Sequence, residues 1–499
     1  MKKILLISAL ALGVGFASCD SYLDINESPN SPSAENIETG MLMPAIEMNI
    51  ASSYGDFLRI TGGYFSQIYS HYFGTSNYLD YSRFEMSATR SSGTYTQFMQ
   101  RALYNLKTVM EMSAEDEQWG TYLAATIYRA FSYQALIDCY GEIPYTEALD
   151  PDNLAPHYDD GQVVYEGVLA ELDEALSRAS SSSTVCTNFL YPGKTAASWI
   201  QFANALKLRM LMRMADVKDV TSAVGALIAE NNFPTSDVKF ANCWADEASH
   251  RSPLFAEDFA PGMQKNLVAN QAIIGTMQVL DSDGNIEYQD PRLAAFFETN
   301  ESGEYFGGIS GTNFSTSGSI KAGKLCRPVA SYDMPVYLIT VAEVEYLKAE
   351  YYARTNNAAK AAECYAAAAE ASFNSAGVSG ADGFLAVYPY DNSNWKKSIG
   401  VAKWIALAGT NPFEAYCEVR RLNYPAFGTA TGDQFYSDAN DNYNVSSYVP
   451  GTLYTPIMCF AQVGAGKLLE RYPYPESSTS RNSNAPSFPG YTTPIFWGK

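Results

Sequence analysis

A chain of 499 residues, 47% hydrophobic, with mean hydropathy −0.16 and formal charge −21, can bury a large core and has the balance of a globular protein. The charge argues against nucleic acid, because phosphate neutralisation needs clustered Lys and Arg and the sequence holds no such run. Tyrosine is the compositional outlier, with 36 residues beside 25 Phe and 6 Trp. Its ring buries area while its hydroxyl stays bonded, which suits both packing and ligand contact.

The chain opens with Lys2 and Lys3, an apolar run from Ile4 to Phe16, and the small-residue site Ala17-Ser18-Cys19. This is the pattern of a lipoprotein signal over 1–18, with Cys19 as the lipid-modified first residue of the mature chain. The run is too short to span a bilayer as a helix. Residues 19–40, polar and carrying Pro29 and Pro32, read as a lipidated tether, and 41–499 as one continuous domain.

Helical periodicity appears near 41–53, 57–72 and 97–112. The longest helix follows in WGTYLAATIYRAFSYQALIDCYGEIPYTEA, residues 119–148. Trp119, Leu123, Ile127, Phe131 and Ala135 recur every four residues on one broad apolar face, and Gly141 and Pro144 end the helix. Two further helices span 161–179 and 196–215, the second with the stripe Trp199, Phe202, Ala203, Leu206 and Met210. From about 232 to 335 periodicity weakens, and 301–324 reads as loop. Such a stretch inside a helical chain points to a functional elaboration. Thr340 can cap a helix at Val341, and Ala349, Tyr352, Ala361, Tyr365 and Ala368 fit the small and aromatic positions of a tetratricopeptide helix pair. Residues 428–455 read as loop.

No pattern in the sequence marks a catalytic residue, a metal ligand or a cofactor. Pro192-Gly193-Lys194-Thr195 lacks the first glycine of a phosphate-binding loop, since that position is Asn188. GxSxG and HExxH are absent. His71, His157 and His250 are far apart and read as loop or packing residues. Asp281-Ser282-Asp283-Gly284-Asn285 resembles the start of a calcium loop, but its glycine is misplaced and the twelfth position is Arg292, so a polar hairpin turn is expected, with a calcium site of another type left open. Seven cysteines beyond Cys19 are widely spaced and read as small buried hydrophobes with at most an occasional disulfide. A glycosidase carboxylate pair has no local signature to affirm or exclude it.

Several segments together resemble the SusD/RagB family of outer-membrane nutrient-binding lipoproteins. They are Tyr22-Leu23-Asp24-Ile25-Asn26 with Pro29-Asn30, the run from Asp138 to Ala148, and Gly193, Trp199, Phe202, Ala203, Asn204, Leu206 and Arg209. The order continues with Asp290-Pro291-Arg292-Leu293, then Thr340, Ala342, Glu343, Leu347, Ala349 and Glu350, then Lys403 to Leu407 and Glu414 to Pro425. Arg471 to Glu476 and Trp497 complete it. The resemblance covers nearly the whole mature chain and rests on the ordered set rather than on any one motif.

It implies a mainly α-helical fold, with tetratricopeptide-like helix pairs forming a scaffold and a large irregular loop-rich portion packed on it. It also implies a non-catalytic, surface-exposed lipoprotein that captures an oligosaccharide for a SusC-like TonB-dependent transporter. A peptide ligand of the RagB type is the alternative, and a surface glycoside hydrolase a further one. For the ligand site, two Tyr- and Asn-bearing loops are expected to converge. One is 72–81, with Tyr72, Asn77, Tyr78 and Tyr81, and the other is 301–314, with Tyr305, Phe306 and Asn313. The competing reading is that these rings pin loops onto the scaffold.

Overall fold

In the computed structural model, which describes residues 37–72, 75–312, 324–437 and 442–498, the helices at 39–53, 104–115, 161–178 and 196–214 pack against residues 119–140. Cys19, the tether to residue 36 and Asn313 lie outside the described residues. Every residue of the Trp119–Tyr140 helix is buried except Trp119, Tyr122 and Arg129. It is thus covered on nearly all sides, where the sequence periodicity suggests one broad face. Gly141, at φ +86, stops it and returns its N–H to the Ile137 carbonyl at 2.8 Å. A Cβ at that position would lie 2.9 Å from the Arg471 guanidinium.

In chain order, α1 (Thr39–Ser53) runs through a π turn (Tyr54–Leu58) into α2 (Arg59–Phe65), and β1 (Tyr69–His71) follows. The helix expected over 57–72 therefore ends at Phe65. Gln67 takes φ 55, and β1 pairs antiparallel with β3 further on. Short apolar runs fit strand and helix alike, and here a distant partner decides. Between the helices expected near 57–72 and 97–112 lie α3 (Leu79–Ser82) and α4 (Ala88–Thr96), the latter capped by Ser87 Oγ accepting from the Arg90 N–H at 3.2 Å. A second π turn (Gln97–Leu103) leads to α5 (Tyr104–Glu115) and then α6, the central helix (Trp119–Tyr140).

Helices α7 (Gly161–Arg178), α8 (Ala196–Met214) and α9 (Thr221–Glu230) complete the first half of the scaffold. Between them and the next long helices the described residues form short elements: β2 (Val238–Phe240), α10 (Pro253–Asp258), β3 (Leu267–Ala269), α11 (Gln271–Met277), β4 (Gln278–Leu280), β5 (Ile286–Gln289), α12 (Leu293–Phe296) and β6 (Val336–Ile339). Regular packing then returns with α13 (Val341–Arg354) and α14 (Ala358–Ala376). Thr340 caps α13 by accepting from the Glu343 N–H at 3.1 Å, as its sequence indicates. These two helices pack closely, with the Tyr346 and Tyr365 rings 5.7 Å apart.

After α15 (Ala381–Val387), α16 (Trp395–Ala408) and α17 (Pro412–Leu422), the stretch expected as loop carries structure of its own. Strand β7 (Ala426–Thr431) pairs in parallel with β10 (Thr452–Thr455). Between them lie α18 (Gly432–Phe435), β8 (Tyr436–Ser437) and β9 (Asn442–Tyr443), and α19 (Glu476–Thr479) is the last helix. The pairing joins residues remote in sequence, which no local pattern encodes.

Charged side chains meet inside this scaffold. Arg209 of α8 grips Glu343 of α13 with bonds of 2.6 and 2.7 Å. Arg213, one turn on, donates to Asp138 of α6 and to Glu414 of α17. Arg421 joins Glu418 at 2.6 Å and Glu350 at 2.5 Å, and Lys403 of α16 lies 3.0 Å from Glu418. Arg420 donates to the Asp138 carbonyl at 2.9 Å, and the Trp497 indole to the Asp138 carboxylate at 2.9 Å. Five cations (Arg209, Arg213, Lys403, Arg420, Arg421) and five carboxylates (Asp138, Glu343, Glu350, Glu414, Glu418) are each no more than 3% exposed. Burial pushes the Glu418 carboxyl up, but Arg421 and Lys403 outweigh it and hold the group well below the usual range.

The seven cysteines from Cys139 to Cys459 are free thiols, buried or half-buried. Trp199 is fully buried, edge-on to Tyr128 at 5.5 Å and to Tyr191 at 5.2 Å, and Phe131 lies 4.8 Å from Tyr54. Alanine at either position should cost about 3–5 kcal/mol through the cavity left behind. Urea unfolding checks this; an unchanged midpoint would show that the ring is not part of the packed core.

Candidate ligand-binding site

The two loops singled out in the sequence have different fates. Tyr78, held at φ 64, is 6% exposed and donates its hydroxyl to Glu257. It stacks on Tyr81 at 5.4 Å and 12°, and Tyr81 packs edge-on against Phe57, Tyr64 and Phe65. These two rings pin the loop to α2, so the faces expected to meet a ligand are packed against protein side chains in this structure. Asn77 Oδ1 sits 3.5 Å from Arg90 Nη2 at the surface. Tyr72 is half-buried and donates its backbone N–H to the Asn266 carbonyl at 2.6 Å.

Tyr305 and Phe306 line an open groove of about 600 Å³, whereas Tyr72, Asn77, Tyr78 and Tyr81 do not. The loops nevertheless start from one small sheet. Tyr72 follows β1, β1 pairs with β3, and Gly308 bridges Asn270 directly after β3. The groove floor is α11, presenting Gln271, Ile274 and Gly275. Gly275 has to be glycine here, because a Cβ would come within 2.6 Å of the Tyr448 ring.

One wall is the β4–β5 hairpin, whose Gln278 Nε2 donates to Gln289 Oε1 at 3.0 Å. Its turn is the Asp281–Asn285 segment. Asp281 accepts the backbone N–H groups of Asp283 (2.9 Å) and Asn285 (2.8 Å), so the carboxylate is engaged in closing a polar hairpin. The opposite wall comes from residues 443–450. Tyr443 lies 4.1 Å from the Phe306 ring, and its one hydroxyl hydrogen is shared between Gln271 Oε1 at 2.8 Å and the Gly307 carbonyl at 2.9 Å.

Tyr443, Tyr448 and Gln271 are thus site residues that the sequence reading does not pick out. A signal exists for the two tyrosines, since NYNVSSY at 442–448 has the same Tyr- and Asn-bearing, aperiodic character as the two chosen loops. Gln271 has none, because it reads as an ordinary first-turn helix residue. The lining combines aromatic faces with side-chain amides, and its charged members are Asp281 and Glu304, with no Lys or Arg among the described lining residues. Such a surface suits a neutral ligand with apolar faces and hydroxyl or amide edges, and disfavours anions.

A second opening, of about 500 Å³, lies between the end of α17 and residues 466–470, and has one ring on its lining, Phe427. Glu470 stands on its wall. Burial pushes that carboxyl up to about 7, against the pull of Arg420 and Arg471, and burial likewise raises Glu47 of α1 to about 7. Both groups hold a proton in the folded state over a range where the unfolded chain, with its carboxyls near 4.5, has lost it. Stability contributed this way is present at low pH and falls as pH rises from about 4.5 to about 7. Thermal melts from pH 5 to pH 8 should show this decline, and Glu470→Gln should remove up to roughly 3 kcal/mol of it. A variant with the parent's full pH slope would show that Glu470 titrates normally.

Comparison with known proteins decides the family. A family profile described as SusD-like, "Starch-binding associating with outer membrane", matches residues 29–445. The chain is a member of the SusD-like family. SusD homologues of known structure share its fold. One from Bacteroides uniformis ATCC 8492 superposes with TM-score 0.73 at 21% identity, covering 92% of this chain and 99% of its own. One from Parabacteroides distasonis ATCC 8503 gives 0.69 at 18%, covering 91% and 98%. A chitin-binding SusD homologue from Flavobacterium johnsoniae gives 0.67 at 20%, again covering 91% and 98%. No curated protein sequence matches this SusD-like chain.

Proposed function

We propose that this SusD-like protein captures a neutral oligosaccharide at the cell surface, holds it in the groove between Tyr305, Phe306 and residues 443–450, and delivers it to a SusC-like TonB-dependent transporter. The observation that carries the reading is the pairing of half-buried rings with side-chain amides in a groove whose described lining holds no cation. Sugar rings offer C–H faces to Tyr305 and Phe306, and their hydroxyls meet Gln271, Gln278 and Gln289. No covalent step is involved. The starch-binding description of the family and the chitin-binding relatives support a glycan over a peptide of the RagB type. No described helix is long and apolar enough to cross a membrane. That accords with retention by a lipid on Cys19, the role its Ala17-Ser18-Cys19 context gives it.

Titration calorimetry of the mature chain with maltoheptaose, chitohexaose and a peptide panel tests the ligand class. Tyr305→Ala should weaken glycan binding by about 1–3 kcal/mol, if stacking on sugars matches stacking on bases, and leave the melting temperature unchanged. Tyr78→Ala should do the reverse, because its ring and hydroxyl are structural. Binding of peptides alone, or parent-like affinity in the Tyr305 variant, would move the function or the site elsewhere.

The anchor is tested separately. Cys19→Ala should release the protein from membranes, and a variant retained through a carbonate wash would show another mode of attachment.

A further inference from the structure

A second depression adjoins the groove. It measures about 300 Å³ and is bounded by α15, the start of α16 and the Pro450-Gly451 turn. Pro450 lines both hollows, so the turn is a ridge between them rather than an outer rim. The end of α11 supports both sides. The Thr276 carbonyl accepts the hydroxyl of Tyr388, which lines the second hollow, at 2.7 Å, and Thr276 Oγ1 accepts the Gly451 N–H at 2.9 Å. Tyr288 of the β4–β5 hairpin also comes within 3.7 Å of where a Cβ on Gly383 of α15 would lie. The two hollows therefore share one backing and cannot shift independently without breaking these contacts.

Their rims share a character too. Leu280 (41% exposed) and Ile286 (54%) edge the first hollow, Val449 (59%) stands beside the ridge, and Val387 (37%) edges the second. Apolar side chains thus stand open beside both hollows, beside the polar edges that a sugar hydroxyl would meet. The second hollow also offers polar edges in Asn394, Lys397 and Ser398.

We infer that the ligand track crosses Pro450, so that the second hollow is a further subsite and the site takes an extended chain of sugar residues rather than a mono- or disaccharide. This rests on the glycan reading of the groove and adds its length requirement. Two linked subsites give affinity that rises with chain length, because the second contact is made at a high effective concentration.

The test is a length series on the mature protein, with maltotriose against maltoheptaose and chitotriose against chitohexaose. Val387→Arg and, independently, Asn394→Trp fill the second hollow from exposed positions. The expected result is at least a tenfold loss for the long probe with the trisaccharide within twofold of the parent. Unchanged long-probe affinity in both variants, or equal loss for short and long probes, overturns the second subsite while leaving the groove. A parent that binds none of the four sugars overturns the glycan reading and the extension together.

Discussion

The rest of the structure depends on a set of buried charges that can be satisfied in one arrangement. Arg209 and Arg213 stand one turn apart on α8 and so face the same way. Facing them are Asp138 from α6, Glu343 from α13 and Glu414 and Glu418 from α17. Rotating α8 by one residue would turn both guanidinium groups through roughly 100° and strand the carboxylates in a dry interior. Removing one partner of such a pair costs about 3–5 kcal/mol because the other charge remains buried, although a wholly apolar replacement can be neutral. What the charges secure here is register between helices that are remote in sequence.

This places the irregular portion. Arg209 Nη2 also holds the Leu338 carbonyl of β6 at 2.6 Å, and β6 pairs with β2. Asp290 and Arg292 pair at 2.6 Å beneath the β4–β5 hairpin, with Arg292 between the rings of Phe373 and Phe384. The loops that line the groove are therefore mounted on elements fixed by the scaffold. Asn270 adds a local tie, donating to the Tyr69 carbonyl at 3.2 Å and to Ser310 at 2.7 Å, which binds the segment after Tyr305 and Phe306 to β1.

Most of the charged landmarks by which the sequence resembles its family belong to this buried set: Asp138, Arg209, Glu343, Glu350, Lys403, Glu414, Glu418, Arg420 and Arg421. They report the scaffold and carry no information about the ligand. The groove is built from Tyr305, Phe306, Tyr443, Tyr448 and three glutamines, none of which belongs to a landmark. That is why the fold class was legible from the sequence while most of the candidate site, beyond Tyr305 and Phe306, was not.

The sequence by itself determined the long helices, because 3.6-residue periodicity, the Thr340 cap and the Gly141 stop are local signals. It also pointed to the loops as the place for a candidate ligand site, since 301–324 has no period of its own. Only the tertiary structure decided which aromatic residues face solvent. Tyr78 and Tyr305 sit in similar Tyr-, Gly- and Asn-bearing surroundings in the sequence. One is drawn under α2 by Tyr81, Tyr64 and Glu257, and the other is left on a groove wall beside Phe306, whose ring rests on Tyr443. Burial of a single ring depends on which distant surface reaches it first, and that is a property of the packed chain rather than of any window of residues.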